Sequence, residues 1–244
     1  MEKDARVQSV QESVFRSLRK NILNLTLLPG TQMSANEVSD MMQVSRTPVR
    51  EAFIRLGREG LVHIIPQRET IVSRIDLKRS WQEQFLRESL ELAALAPFIR
   101  MRGTADIEIM RGYIQLQRER VQESDYISTI DIDDMFHQTI FLVAEQLLSW
   151  EIIESMSGHY RRCRLLSMQS QEIGANVIAQ HETLVNELEE GDLQAAQATM
   201  RTHLRRLFDE KKLLLEKHPD FFVPTEPQDQ FDVDFAALNG ARQI

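Results

Sequence analysis

The stretch VSRTPVREAFIRL, residues 44–56, has the pattern of a short amphipathic helix. Its apolar positions recur at the i, i+3, i+4, i+7 spacing of one helical face: Val49, Ala52, Phe53 and Leu56. Ser45 is a suitable N-cap, and Pro48 falls in the first turn, where its missing N–H group has no intrahelical partner to lose. The pattern therefore predicts a helix that begins near Arg46.

A second short helix is predicted just upstream, because Ser34 and Glu37 have the spacing of a capping box. Its apolar residues include Val38, Met41 and Met42. Residues 43–44 are predicted to form a tight turn into the helix that follows. Two short helices joined by such a turn favour a helix-turn-helix.

The polar face of the helix that begins near Arg46 carries Arg46, Thr47 and Arg50. Its two arginines are neighbours because they are four residues apart. Arginine can donate a forked pair of hydrogen bonds to guanine or phosphate, and hydroxyl groups and helix N-termini bind phosphate. The alternative is a solvated charged face whose arginines are paired through Glu51 and Arg55. This helix alone is compatible with both interpretations.

Residues 27–68, LLPGTQMSANEVSDMMQVSRTPVREAFIRLGREGLVHIIPQR, resemble the winged-helix domain of the GntR superfamily of bacterial transcription regulators. In that family a Pro-Gly, a short helix, S-R-x-P-V-R-E-A and E-G-L-V follow in this order. The resemblance implies a double-stranded DNA operator as partner and a first domain of residues 1–75. It also implies that the recognition helix contains Ser45, Arg46, Thr47 and Arg50.

The same resemblance implies a wing, a β-hairpin of residues 61–66 and 70–75 with Gln67, Arg68 and Glu69 at its tip. The family usually has glycine where this chain has Glu69, and that glycine allows the wing to approach the minor groove closely. A carboxylate at this position is repelled by phosphate. Arg68 beside it remains the expected DNA contact of the wing.

The chain has 244 residues, of which 42% are hydrophobic, and a formal net charge of −8. Residues 1–75 hold 11 Lys and Arg against 8 Asp and Glu, whereas the remainder holds 18 against 29. A mildly basic module on an acidic body suits a regulator in which only one part meets phosphate.

A single cysteine, Cys163, excludes an internal disulfide and is compatible with a reducing compartment. The N-terminus lacks the apolar segment of a signal peptide, and no run of about 18 apolar residues occurs in the chain. We therefore expect a cytoplasmic protein with no membrane partner.

Apolar spacing predicts a helix over residues 8–25 and, after a firm linker at residues 74–76, an all-α second domain over residues 76–217. Six helices are predicted in this domain, with Gly103, Gly174 and Gly191 near the breaks: 77–102, 105–123, 126–146, 149–168, 175–189 and 193–217. Residues 218–244 are predicted to be a flexible tail with four candidate anchors: Phe221, Phe222, Phe231 and Phe235. The fold class is thus mainly α, a winged helix-turn-helix followed by an all-α bundle.

Four residues of the second domain have spacings that can bring them together. Asp133 and His137 are four residues apart on one predicted helix, and His181 and His203 lie ten residues before and twelve after Gly191, the predicted turn of a hairpin. At a rise of about 1.5 Å per residue, these two histidines reach nearly the same level. Neutral imidazoles and a carboxylate suit one divalent metal ion. The alternative is histidines that are solvated or satisfied in the core.

Three stretches of this domain are similar to signatures of the FCD ligand-binding domain, found in the FadR subfamily of GntR regulators: DIDDMFHQTI at 131–140, AQHETLVNELEEGDLQAA at 179–196 and TMRTHLRRL at 199–207. The resemblance implies an all-α bundle that binds a divalent metal, here zinc, nickel or manganese. The residues that match its ligands are Asp133, His137, His181 and His203. Residues 144–153, AEQLLSWEII, depart from the family's asparagine-containing segment, so the pocket wall there is expected to differ.

A metal with open positions can hold a small carboxylate, and arginines complete the charge match because they pair with carboxylates through two donors. The candidate effector-binding arginines are Arg87 on the first helix of the second domain, and Arg161 and Arg164 on the fourth. Each is also explained by an ordinary ion pair, for example Arg87 with Glu91 four residues later.

These features predict a metabolite-responsive transcription regulator that binds a pseudo-palindromic operator as a homodimer. A metal-dependent hydrolase is the first alternative, because zinc catalysis needs three protein ligands and a bound water. The chain has no HExxH-like motif to supply a general base, and a hydrolase would have no use for the DNA module, so we do not expect an enzyme. The second alternative is a DNA-binding protein that responds to no ligand.

Overall fold

The computed structural model describes residues 2–208 and 210–224. The N-terminal part combines three helices with a small sheet: α1 (Glu2–Leu23), β1 (Gln32–Met33), α2 (Ala35–Met42), α3 (Arg46–Arg58), β2 (Val62–Ile65) and β3 (Glu69–Val72). The sheet is antiparallel with the order β1-β3-β2, so the predicted wing hairpin is extended by β1, a strand that the sequence pattern did not predict.

The helix-turn-helix forms as its local signals predict. Ser34 Oγ accepts from the Glu37 N–H at 3.1 Å, and the Ser34 N–H donates to Glu37 Oε2 at 2.8 Å, which is the predicted capping box. Gln43 has a φ of 55°, a left-handed conformation that ends α2 and turns the chain into α3. The four predicted apolar positions of α3 are all buried, against α1 and the sheet: Val49, Ala52, Phe53 and Leu56.

The C-terminal part is helical throughout its described residues: α4 (Leu77–Met101), α5 (Thr104–Gln122), α6 (Tyr126–Val143), α7 (Leu147–Met156), α8 (Gly158–Ser167), α9 (Gln171–Glu190), α10 (Leu193–Arg205) and α11 (Lys211–Lys217). Its main apolar core is formed by α4, α5, α6, α7, α9 and α10. Within the described ranges, no helix combines the length and apolarity needed to cross a bilayer.

The predicted single helix over residues 149–168 is wrong, because the chain breaks at Ser157 into α7 and α8. The break brings Gly158 against the DNA-binding part: a Cβ added there would lie 2.6 Å from Leu61 Cδ2. Gly174 is also not at a break. It lies inside α9, where an added Cβ would be 2.9 Å from Val121 Cγ1.

The predicted helix over residues 193–217 is likewise divided, into α10, a short 3-10 turn at Arg206–Phe208, and α11. The start of the predicted flexible tail is packed. Phe222 is buried, and the backbone of Ile75 pairs with it on both sides, accepting from the Val223 N–H at 2.9 Å and donating to the Phe221 carbonyl at 2.7 Å. Phe231 and Phe235 lie outside the described residues.

The junction between the two parts is formed by α8. Arg162 is buried and donates from Nη1 to the Ser73 carbonyl at 2.7 Å, and the Asp76 N–H donates to His159 Nδ1 at 2.9 Å. Glu83 on α4 accepts from the first N–H groups of α8, those of His159 and Tyr160, each at 2.8 Å. The linker between the two parts is therefore firmly held, as its sequence predicted.

Candidate nucleic-acid interface and candidate metal centre

The polar residues of the predicted recognition helix are all exposed: Ser45, Arg46, Thr47 and Arg50. Within residues 2–208 and 210–224, neither Arg46 nor Arg50 makes an ion pair. Arg55 turns away, to Glu12 on α1 at 2.8 Å, with its guanidinium 3.6 Å from the centre of the Phe15 ring. The structure therefore does not form the ion pairs that the alternative interpretation required.

The N-terminus of α3 is open. Ser45 occupies the predicted N-cap position, but its side chain makes no capping hydrogen bond. The hydroxyl and the first N–H groups of this 13-residue helix are therefore available to an external acceptor.

The wing turns at residues 66–68, because Ile65 of β2 pairs with Glu69 of β3. The left-handed residue of this turn is Gln67, with a φ of 59°, so Glu69 brings its charge to the wing but no backbone strain. Glu69 belongs to the strand rather than to the tip where it was predicted, and Arg68 is exposed at the tip.

The predicted metal ligands come together from three helices, with Asp133 and His137 on α6, His181 on α9 and His203 on α10. One ligand atom from each lies within 4.8 Å of the others. Asp133, His137 and His181 are buried, and His203 is partly exposed as a residue although its ring closes the cluster. We call these four residues the histidine cluster.

The separations inside the histidine cluster match those of a coordination shell. His137 Nε2 lies 3.2 Å from His203 Nε2 and 3.7 Å from Asp133 Oδ2, and His181 Nε2 lies 3.6 Å from Asp133 Oδ1. Ligands about 2.1 Å from a tetrahedral zinc ion are about 3.4 Å from one another. The cluster thus has the size of a site for a single ion.

Partners outside the cluster orient each imidazole ring. Nδ1 of His137 lies 2.5 Å from Glu91 Oε2, and Nδ1 of His203 lies 3.1 Å from Gln180 Oε1. Nδ1 of His181 lies 2.9 Å from the side-chain oxygen Oε1 of Gln117. The side-chain Nε2 of Gln117 also donates to Asp133 Oδ1 at 3.3 Å. All three partner atoms are acceptors, so each ring carries its proton on Nδ1 and directs the lone pair of Nε2 inward.

This arrangement leaves acceptors facing acceptors. Nε2 of His181 is buried and has no hydrogen-bond partner in the described chain, and the Nε2 atoms of His137 and His203 face each other at 3.2 Å, both as acceptors when the rings carry their protons on Nδ1. Buried acceptors without a donor destabilise a fold by roughly 1–3 kcal/mol each. A divalent cation satisfies all of them at once, so the donor set fits a metal ion.

The charge states also suit a metal. Burial lowers the pKa of His181 to about 3, although Asp133 acts in the opposite direction, and burial together with the other two histidines holds the pKa of His203 well below its usual value. Burial alone would raise the pKa of Asp133, but Arg164 and the histidines outweigh it, and the net pKa is well below the ordinary range. Near neutral pH the cluster therefore has neutral His181 and His203 rings and an ionised carboxylate, the forms that bind metals.

A cavity of about 570 Å³ lies beside the histidine cluster, between α1 and the helical bundle. Arg87 and Arg161 line it, whereas Arg164 and the imidazole rings do not. Arg87 is buried and donates from Nε to Glu91 Oε1 at 2.5 Å, the predicted ion pair, but its Nη2 has no hydrogen-bond partner in the described residues. That Nη2 lies 3.9 Å from Asp133 Oδ2, so Arg87 stands between the cavity and the cluster.

The other two candidate arginines are committed to carboxylates. Arg161 donates to Asp131 and Asp134, and Arg164 donates to Asp133 and to Asp134, the latter at 2.8 Å. Arg164 thus holds a cluster ligand instead of lining the cavity.

Two groups of residues at this site were not predicted. The first holds the imidazole rings: Glu91, Gln117 and Gln180. Glu91 was noted only as a partner of Arg87, and the two glutamines carry no local signal because their contacts span helices. The second is the cationic wall of the cavity on α1: Arg16, Arg19 and Lys20. Their positions on the polar side of the first helix are the only sequence signal.

Comparison with known proteins agrees with the architecture. Residues 10–72 match the gntR family of bacterial regulatory proteins, and residues 84–206 match the FCD domain. An HTH-type transcriptional regulator in an unstable DNA locus of Streptomyces ambofaciens is 34% identical over 213 residues, covering 87% of this chain and 89% of the relative. The HTH-type transcriptional repressor RspR of Escherichia coli K12 is 29% identical, covering 88% of this chain and 94% of the relative.

Solved structures show the same fold. McbR/YncC of E. coli aligns with a TM-score of 0.73 at 16% identity, covering 86% of this chain and 98% of the other. A GntR regulator from Rhodococcus sp. RHA1 aligns with a TM-score of 0.71 at 21% identity, covering 85% and 98%.

Together, the two family matches and the named relatives identify this winged helix joined to a helical bundle as a transcription regulator. The chain belongs to the gntR family of bacterial regulatory proteins and carries an FCD domain at residues 84–206. The predicted family, the mainly α fold class and the interpretation as a regulator rather than an enzyme are thereby confirmed.

Proposed function

We propose that this protein is a cytoplasmic, metabolite-responsive regulator that binds a pseudo-palindromic operator as a homodimer. Each chain has one recognition helix, and two half-sites about one helical turn apart need two of them. RspR is named a repressor, and we propose repression for this chain as well. Residues 1–75 are proposed as the DNA-binding domain and residues 76–217 as the effector-binding domain.

The proposed DNA contacts are the exposed groups of α3 and the wing: Ser45, Arg46, Thr47, Arg50 and Arg68. Arg46 and Arg50 have no ion pair to break in the described chain, so they can reach base edges or phosphates without losing a partner. The open N-terminus of α3 suits a backbone phosphate.

The proposed metal ligands are the four residues of the histidine cluster, with zinc, nickel or manganese as the ion. The observation that carries this proposal is the convergence of three Nε2 lone pairs on Asp133 with no donor among them. A bound ion would supply positive charge beside Asp133. The chain's own contribution is to hold the imidazole rings in place through Glu91, Gln117 and Gln180.

The proposed effector is a small carboxylate in the 570 Å³ cavity, a volume typical of small-molecule sites. Its carboxylate would accept from the guanidinium of Arg87, which lines the cavity and hydrogen-bonds only to Glu91 in the described residues, and from Arg161, in addition to the Arg161 pairs with Asp131 and Asp134. Arg164 would act by holding Asp133 and Asp134 in place.

This function is tested by titrating the protein into fluorescently labelled DNA from the region upstream of its own gene. Metal-free and metal-loaded protein are compared, each with and without a panel of small carboxylates. We expect specific binding of the DNA and a change in affinity of about fivefold or more when metal and carboxylate are both present, the usual size of a coupling between sites. An operator affinity that neither metal nor carboxylate alters would leave a DNA-binding protein that responds to no ligand.

A further inference from the structure

The cavity has walls from both parts of the chain. On the bundle side, Arg87 on α4 and Arg161 on α8 face it, and on the other side Arg16, Arg19 and Lys20 of α1 face it. An occupant of this space therefore touches the effector-binding and DNA-binding parts at the same time.

The two walls offer separate cationic groups. Five lining residues are cationic and three are acidic, although the whole chain has a formal net charge of −8. Two of the acids, Asp131 and Asp134, are already paired with Arg161. The third, Glu154, is exposed, and its backbone carbonyl accepts from Arg19 at 2.5 Å.

The cations differ in how firmly they are held. Arg19 is bound to Glu59 at 2.7 Å, and Arg16 makes only an exposed pair with Glu12, a kind of contact that contributes little to stability. Lys20 makes no ion pair in the described part of the chain. The least committed cations are thus Arg87 on one wall, whose guanidinium hydrogen-bonds only to Glu91 in the described residues, and Lys20, with Arg16 also lining that side, on the other.

We propose that the effector carries two anionic groups, one bound by Arg87 and the other by Lys20 of α1. This inference rests on the proposed function and narrows it to dicarboxylates and related dianions. A monocarboxylate fills the Arg87 end only and leaves α1 without a contact.

The second anionic group gives the effector a route to the DNA-binding surface. α1 packs along α3 in the core of the DNA-binding part, and Arg55 of α3 is tied to α1 through Glu12 and Phe15. A dianion held at both ends links the bundle to the helix that supports the recognition helix. A ligand that contacts only the bundle does not fix the position of α1 in this way.

Isothermal titration calorimetry of the metal-loaded, full-length protein tests the proposal with chain-matched acids: succinate, glutarate and adipate against butyrate, valerate and hexanoate. We expect at least one dicarboxylate to bind about tenfold more tightly than its monocarboxylate match, the usual worth of one charge-assisted contact. Lys20→Ala should remove this preference. Lys212→Ala, which changes an exposed lysine on α11 outside the cavity, should retain it.

The outcomes separate the two proposals. If a monocarboxylate and its matched dicarboxylate bind equally, or if the preference survives Lys20→Ala, the dianion inference is wrong and the proposed function stands. If neither class binds the metal-loaded protein, the carboxylate effector itself is wrong, and the inference falls with it.

Discussion

On α3, Arg46 and Arg50 extend into solvent and have no ion pair in the described chain, whereas in the bundle each ring of the histidine cluster is held by a residue of another helix. The first site is left open, and a ligand must order its side chains. The second is already ordered, and its unpaired acceptors destabilise the fold until a cation satisfies them. The difference teaches that a change of side chain at the exposed site should leave the stability of the ligand-free protein nearly unchanged, whereas filling or removing the buried site should alter it.

The largest effect is expected at the buried site. His181→Ala should weaken zinc binding by more than about 100-fold, since even residues that only orient a ligand contribute about 10–100-fold. Zinc should raise the melting temperature of the parent and not of the variant, because an ion that binds only the folded state stabilises it. Metal analysis and thermal denaturation provide the measurements. His63→Ala, at an exposed position of β2, is the matched control and should bind zinc normally.

A parent chain that takes up no zinc, nickel or manganese would contradict the assignment of the histidine cluster as a metal site. The cluster and the exposed face of α3 would then differ only in burial.

The exposed site should show the reverse behaviour. Arg50→Ala should weaken operator binding by about 1–3 kcal/mol while leaving the melting temperature and the zinc response unchanged. Fluorescence anisotropy with operator DNA measures the first effect. Arg118→Ala, on the exposed face of α5, controls for the loss of one positive charge. An Arg46 and Arg50 double alanine variant that binds the operator as tightly as the parent would contradict the assignment.

His159 extends the comparison because its ring is buried like that of His181 but has hydrogen-bond partners in the protein. Burial, with Arg162, lowers its pKa to about 3, much as for His181, yet His159 Nδ1 accepts from the Asp76 N–H and the ring also hydrogen-bonds to the Gly60 backbone. Below about pH 6.5 this ring is protonated in the unfolded chain but stays neutral in the folded chain. The free energy of unfolding should therefore decrease as the pH is lowered from about 6.5 to 3. This residue contributes up to about 1.4 kcal/mol per pH unit to that decrease.

Urea denaturation of parent and His159→Asn at pH 7, 6 and 5 measures that contribution as the difference in slope. Zinc uptake at pH 7 should be the same in both proteins. Equal slopes would show that the ring is protonated in the folded state.

The smallest effects are expected in the wing. Arg68→Ala should weaken DNA binding severalfold and reduce the salt slope by about one phosphate contact, and Glu69→Gly should strengthen binding by removing a repulsive charge. Titrations at several salt concentrations determine both. If both variants keep the parental slope and affinity, the wing makes no DNA contact, and the exposed site is α3 alone.

The two sites were predictable from sequence to different depths. For α3 the cap, the apolar spacing and the exposed arginines are all encoded within 13 residues, and the structure places each where its pattern predicts. For the histidine cluster, spacing placed Asp133 beside His137 and the hairpin placed His181 opposite His203.

What the pattern missed depends on contacts between distant segments. Gln117 reaches His181 across 64 positions, and Arg164 reaches Asp133 across 31, so neither has a local signature. The break at Ser157 was missed for the same reason, because the close contact between Gly158 and Leu61 joins residues almost a hundred positions apart. Helical spacing continues through residues 149–168 and gives no sign of that neighbour.

The contact between Gly158 and Leu61 also limits how such regulators can be recombined. A chimera that joins this DNA-binding part to another bundle must either keep a glycine at the start of the equivalent of α8 or displace the buried Leu61 side chain, because a Cβ there would lie 2.6 Å from Leu61 Cδ2. Ser73 would likewise need an arginine to accept from, as it does from Arg162. The two parts are therefore matched to each other along α8, and exchanging one of them means carrying both sides of this junction.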